Sequence, residues 1–211
     1  MEGKKRYPGG GDPQGYDRIV REVFAPIYPV IAGQIVAKTG KQEGHCLDVG
    51  CGTGALGRAI AGMSSLHITF FDQSPEMIAL SRDYADKEGL IGRSDFLVGD
   101  ISRLALDDHT MDLVVSRGSV PFWNDWERAY REILRVLKKG GHAYIGGGFG
   151  SAALRDEIVK IMNERNREWR RPFQDKARLY QEALPTILEA LPAAQSNIID
   201  DESGFWVHII K

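Results

Sequence analysis

The sequence predicts an α/β fold: a doubly wound, seven-stranded, mostly parallel sheet with helices on both faces and an antiparallel hairpin at the C-terminal end. Three observations predict it. Between residues 45 and 148, short apolar runs rich in β-branched residues alternate with segments of helical period, the pattern of a parallel sheet with crossover helices. The first of these runs stops at three glycines spaced two apart, Gly50, Gly52 and Gly54, and a helical pattern follows. Two late runs, 197–199 and 205–210, are separated by Asp200-Asp201-Glu202-Ser203-Gly204 and read as a closing hairpin.

The elements follow in order. Residues 1–15 contain Pro8-Gly9-Gly10-Gly11-Asp12-Pro13 and are expected to be a flexible lead. Residues 16–211 are expected to form a single domain, with residues 16–39 as an N-terminal helical lid of one or two short helices, interrupted at Pro26. Cys46, Leu47 and Val49 form the first strand; Leu56, Ala59, Ile60 and Met63 keep helical spacing after the glycines. His67 to Phe71 reads as the second strand. Ser74, Pro75 and Glu76 then read as a helix start, with Met77, Ile78 and Tyr84 on its buried face and Gly89 as its stop. Strands are expected again at 96–98, 111–116 and 143–145, and helices at 151–169 and 176–191.

Glycine admits positive φ and lets a ligand approach bare main chain, and the helix N-terminus beyond it offers unpaired N–H groups. The turn therefore suits a nucleotide-like cofactor. Gly50, Gly52 and Ala55 also satisfy a dinucleotide-binding spacing, so an NAD(P)-dependent oxidoreductase is one reading. Asp48, two residues before Gly50, is unusual there. A buried carboxylate needs a partner, either a ligand ammonium group or backbone donors that make it a brace of the turn. Asp72, at the end of the second strand, is placed to accept ribose hydroxyls. The third strand ends in Gly99-Asp100-Ile101.

Taken together, Leu47 to Gly54, Asp72-Gln73-Ser74, Gly99-Asp100, Met111 to Ser116 and Glu132 to Gly141 resemble the class I, Rossmann-like S-adenosylmethionine (SAM)-dependent methyltransferases of small-molecule type. The resemblance covers most of residues 16–148. It implies that Gly50, Cys51, Gly52 and Gly54 wrap the methionine part of SAM, with Asp48 on its ammonium side. Asp72 would take the ribose hydroxyls, Gln73 and Met77 would flank the adenine, and Gly99, Asp100 and Ile101 would meet its polar edge. Ser116 would line the site near the methyl group. The closing hairpin is expected of that fold and not of a simple dinucleotide domain. A non-catalytic SAM-binding regulatory protein on the same fold is the alternative reading.

Composition sets limits. A net charge of −2 gives no bulk electrostatic case for nucleic acid. Two cysteines, Cys46 and Cys51, exclude a disulfide scaffold, and with five scattered histidines suggest no metal site and a reducing, cytoplasmic setting. The most apolar stretch, 23–37, is broken by prolines and too short to span a bilayer. The expected partner is a small-molecule substrate. Its acceptor atom is left open among carbon, oxygen, nitrogen, sulfur and arsenic, as are oligomeric state and use of a general base.

The acceptor is expected near Ser116-Arg117-Gly118-Ser119-Val120-Pro121-Phe122-Trp123. This departs from the Asn/Asp-Pro-Pro-Tyr/Phe pattern of enzymes that methylate amide or base nitrogens. Ser116 and Arg117 are the catalytic candidates. Arg117 either holds an acidic group of the acceptor or pairs with an internal carboxylate. Tyr16, Tyr28, Phe122 and Trp123 are the other substrate-binding candidates; Phe24 and Trp126 are weighed as core packing. Arg165, Arg167, Arg170 and Arg171 surround Trp169, and the interleaved Glu164 and Glu168 favour a solvated helix face over a binding patch.

Overall fold

The computed structural model describes residues 12–169, 171–191 and 195–211. The chain runs α1 (Pro13–Ile19), a π-helical turn (Val20–Phe24), α2 (Ile27–Thr39), β1 (His45–Val49), α3 (Ala55–Ala61), β2 (His67–Asp72) and α4 (Pro75–Lys87). It continues with β3 (Ser94–Val98), β4 (Met111–Arg117), α5 (Trp126–Val136), β5 (Leu137–Gly148), α6 (Ala152–Arg165), α7 (Arg171–Glu189), β6 (Gln195–Asp201) and β7 (Gly204–Ile210). The seven strands form one sheet in the order β3-β2-β1-β4-β5-β7-β6. β1 to β5 are parallel, and β7 runs antiparallel to both neighbours.

Alternation along the strands divides the core in two. Cys46, Ile68, Phe70, Leu113, Val115, Tyr144 and Trp206 face α2, α3, α4 and α6. Leu47, Phe71, Val114, Ala143, Ile145 and Val207 face α5 and α7. Successive strand residues point to opposite faces, so a run such as Leu113-Val114-Val115 must be apolar throughout to serve both. The doubly wound arrangement follows directly.

Several expectations are corrected. The first helix begins at Pro13, inside the expected lead, because the Asp12 carboxylate accepts from the N–H groups of Gln14 and Gly15 and Pro13 fits the first turn; residues 1–11 lie outside the described residues. Met63 is not on the buried face of α3. That helix ends at Ala61, and Met63 is exposed. Tyr84 is half-buried, its hydroxyl donating to Asp17 across to α1 at 2.8 Å. The fifth strand is far longer than residues 143–145, since β4 and β7 pair with it from both sides. Pro26 does interrupt the N-terminal helices, which are bent by 76°. No single helix among the described residues is long and apolar enough to cross a membrane, and most large apolar side chains of the bent pair, such as Val23, Phe24, Ile27, Ile31 and Ile35, lie in the core.

Candidate active site

β1 is flanked by β2 on one side and β4 on the other, so the connections leave in opposite directions at its carboxyl end. Open α/β sheets form their binding crevice there. A cavity of about 600 Å³ occupies this place.

One half is built on β1, β2 and β3. Gly50, Gly52 and Gly54 have φ of 63°, 54° and 77°, a region that side-chain-bearing residues rarely adopt. A Cβ on Gly50 would stand 2.3 Å from the Cβ of Ser119. The loop is thus a bare-backbone cradle that a methyl group would fill. Asp72 fixes its shape: one carboxylate oxygen accepts from Gly52 N–H at 2.9 Å, the other from Ser74 N–H at 2.9 Å. Ser74 in turn caps α4. Asp100 accepts from Ser102 N–H and starts the short turn at Ile101. The cavity lining contains Gly50, Gly52, Asp72, Gln73, Met77, Gly99, Asp100 and Ile101. This cradle, with a carboxyl group at the second strand end, fits the nucleoside and amino-acid parts of SAM.

Four other residues assigned to the cofactor lie off the cavity lining: Asp48, Cys51, Gly54 and Ser116. Asp48 points from β1 to α3, where it accepts from Gly57 N–H at 2.9 Å. The contact requires glycine, because a Cβ at residue 57 would lie 2.9 Å from the carboxylate oxygen. Asp48 is therefore a brace between strand and helix. Burial raises its pKa to about 7, with nearby Asp72 raising it further, against the Gly57 hydrogen bond and the charge of Arg58. Cys51 is an unpaired thiol that burial holds well above its usual range. Ser116 sits beneath the cavity, 2.5 Å from Ser119 Oγ.

Ser119 escaped the sequence reading. Its hydroxyl accepts from Trp123 Nε1 at 3.0 Å and approaches the Val49 carbonyl at 3.3 Å. It ties β1, β4 and the turn at Val120–Phe122 together directly beneath the glycine loop.

The other half gathers around Arg117 at the end of β4. Its Nε donates to the Gly148 carbonyl at 3.1 Å, and Nη1 reaches Tyr28 Oη at 3.5 Å. The guanidinium lies over Phe24 at 5.1 Å, Tyr28 at 5.4 Å and Phe149 at 5.9 Å. No carboxylate among the described residues stands within ion-pair distance of it, so the internal ion pair does not form. Tyr16, Phe24, Arg117, Phe122 and Trp123 line the cavity. Tyr28 does not; it supports Arg117 from behind, and burial raises its pKa. Tyr16 lies against the Gly52 backbone, and burial raises its phenol pKa too. Trp126 packs on Tyr180 and donates to the Val120 carbonyl, away from the cavity.

The helix expected over 151–169 is shorter, while Glu164, Arg165 and Arg167 are exposed, as a solvated face requires. α6 ends at Arg165, which pairs with Glu22 at 3.1 Å. Trp169 then turns inward, its Nε1 donating to Asn163 and its ring 6.4 Å from Phe24, to line the cavity. Arg167 is exposed. Arg170 lies outside the described residues, and the Arg171 side chain is likewise not described. Phe149, Arg155 and the hairpin residues Asp200, Asp201 and Glu202 complete the wall. The run Gly146-Gly147-Gly148-Phe149-Gly150 was the one legible sign of a site at that strand end. No group of three or more His, Cys, Asp or Glu residues among the described residues could hold a metal ion.

A family profile described as "Methyltransferase domain" matches residues 47–145. The chain is 36% identical over 101 residues to a sterol 24-C-methyltransferase of Neurospora crassa, covering 48% of this chain and 27% of that protein. It is 36% identical over 107 residues to a demethylmenaquinone methyltransferase of Chlorobaculum tepidum, covering 50% of this chain and 41% of that one. The chain thus spans less than half the length of these relatives. A crystal structure from Methanococcus maripaludis, described as a candidate SAM-dependent methyltransferase, matches end to end. It has 37% identity and a TM-score of 0.90, covering 100% of this chain and 97% of that one. An Aquifex aeolicus SAM-dependent methyltransferase at 16% identity and a TM-score of 0.66 shares the fold. With the glycine cradle, the carboxylates at the second and third strand ends and the reversed C-terminal strand all present, this chain belongs to the class I SAM-dependent methyltransferases.

Proposed function

We propose that the protein transfers the methyl group of SAM to a small-molecule acceptor by in-line displacement. The observation that carries this reading is the cavity itself. It runs from the glycine cradle and Asp72 to an aromatic half bounded by Tyr16, Phe149 and Trp169, a size and lining suited to a small ligand. The relatives that support it are named for sterol and demethylmenaquinone methylation. SAM supplies, when bound, a methyl group already activated on a sulfonium. The chain's task is then mainly positioning. Asp72 would orient the ribose by charge-assisted hydrogen bonds. Gln73 and Met77 would hold the adenine, with Asp100 and Ile101 at its edge. Ser119 keeps β4 against the loop, and the aromatic wall excludes water. The free thiols of Cys46 and Cys51 support a reducing compartment, the cytoplasm.

The test is S-adenosylhomocysteine formation from SAM in the presence of fractionated cell metabolites, followed by mass spectrometry of the methylated product. Product formation lost in Asp72→Ala is expected. SAM binding without product from any fraction would favour the regulatory reading. Binding of NADH with none of SAM would favour an oxidoreductase.

A further inference from the structure

Arg117 is the feature of the cavity that a simple positioning role leaves unexplained. It is a permanent cation at the carboxyl end of β4, where the acceptor half meets the cofactor half. It is half-buried, and it has no carboxylate within ion-pair distance among the described residues, so its charge is left to whatever enters the cavity. What it has is a fixed mount. Gly148 O holds Nε, Tyr28 Oη meets Nη1, and three aromatic rings surround the guanidinium plane. Nη2 makes no hydrogen bond to the described residues and is not among the buried, unpartnered side-chain atoms. A guanidinium oriented in this way presents its remaining donors as a preformed fork for an anion.

The carboxylates of the lining lie elsewhere. Asp72 and Asp100 stand on the cofactor side, at the ends of β2 and β3. Asp200 and Asp201 close β6, and Glu202 follows in the hairpin turn. β6 is three strands away from β4 in the sheet, and none of these carboxylates forms an ion pair with Arg117. Asp201 is also engaged by Ser203 N–H and Oγ–H. The rings around Arg117 itself are Phe24, Tyr28 and Phe149, and Tyr16 and Trp169 line the same cavity.

We infer that the acceptor is an anionic molecule with a flat apolar body, its acidic group held by Arg117 and its body by the surrounding rings. The inference rests on the methyltransferase reading and names the substrate class of that site. An acceptor ionised in its own right also reacts without a general base. Its lone pair forms the bond to the methyl carbon as the carbon–sulfur bond breaks and that electron pair returns to sulfur. Positive charge on the donor and negative charge on the acceptor are both consumed, and no proton need move.

The test uses the full chain saturated with S-adenosylhomocysteine, titrated in a calorimeter with 2-naphthoate, its neutral amide and 2-naphthylmethylamine. Naphthoate is expected to bind about tenfold tighter than the amide. Arg117→Met should erase that preference and Arg117→Lys should restore part of it, with S-adenosylhomocysteine affinity unchanged in both. Equal binding of acid and amide, preference for the amine, or no naphthoate binding would overturn the inference while leaving cofactor binding intact. A matching loss of S-adenosylhomocysteine affinity in Arg117→Met would also overturn it, by assigning Arg117 to the cofactor's own carboxylate. Failure of the wild-type chain to bind S-adenosylhomocysteine would instead refute the methyltransferase reading.

Discussion

The two halves of the cavity are built on different plans. The proposed cofactor half comes from three short motifs, each at the end of a neighbouring strand, and much of its polar surface is backbone held by Asp72 and Asp100. The acceptor half draws Tyr16, Arg117, Phe149, Trp169 and Phe205 from nearly the whole length of the chain, and its surface is mostly side chain. A backbone cradle tolerates little change, because altering it moves the chain. A side-chain wall can be rebuilt residue by residue. One fold can therefore keep its methyl donor while its acceptor changes.

The sharpest way to break that contrast is Gly50→Ala. The new Cβ would overlap Ser119 at a positive φ, so a loss of about 4 kcal/mol or more is expected. A melting temperature equal to wild type would show that the cradle yields as easily as the acceptor wall.

Asp48 tests the foundation under the cradle. Its folded pKa of about 7 lies above its ordinary value of 3.8. The folded state therefore holds this proton more tightly than the unfolded chain. Its stabilising contribution is complete below about pH 4, falls as pH rises to about 7, and is flat above that, a total of up to about 4 kcal/mol. Asp48→Asn keeps an acceptor for Gly57 N–H and removes the titration. Thermal unfolding at a series of pH values should lose that slope in the variant; parallel curves for the two proteins would contradict the buried-acid assignment.

Next in size is Asp72→Ala, expected to weaken S-adenosylhomocysteine binding about a hundredfold, since it removes the proposed ribose acceptor and orphans the Gly52 and Ser74 N–H groups. Calorimetry showing less than a tenfold loss would mean the ribose sits elsewhere. The smallest effect belongs to the seam between the halves. Ser119→Ala leaves Trp123 Nε1 without its acceptor, a cost of about 1–2 kcal/mol. A change seen only in cofactor affinity, with stability unaltered, would place Ser119 in the cofactor half rather than at the joint.

The legible parts of the site were those in which one motif carries both backbone shape and side chain. Glycines at 50, 52 and 54, Asp72 after two phenylalanines and Asp100 after Gly99 each announce themselves locally, and each lines the cavity or shapes its loop. Asp48 was legible as unusual but not as a brace, since its donor is the backbone of Gly57 in the next element. Trp169 was hidden among arginines that looked like a solvated helix; only the end of α6 at Arg165 turns it inward. Ser119 carries no pattern at all, because its three contacts come from β1, β4 and the turn before α5.

By itself, then, the sequence determined the sheet, its two cores and the glycine cradle proposed for the methyl donor, because strand alternation and glycine turns are set within a few residues of chain. The acceptor half was decided only by the tertiary structure. Whether Arg117 meets a carboxylate or three aromatic rings depends on which distant helices and strand ends close over it, and no local spacing encodes that meeting.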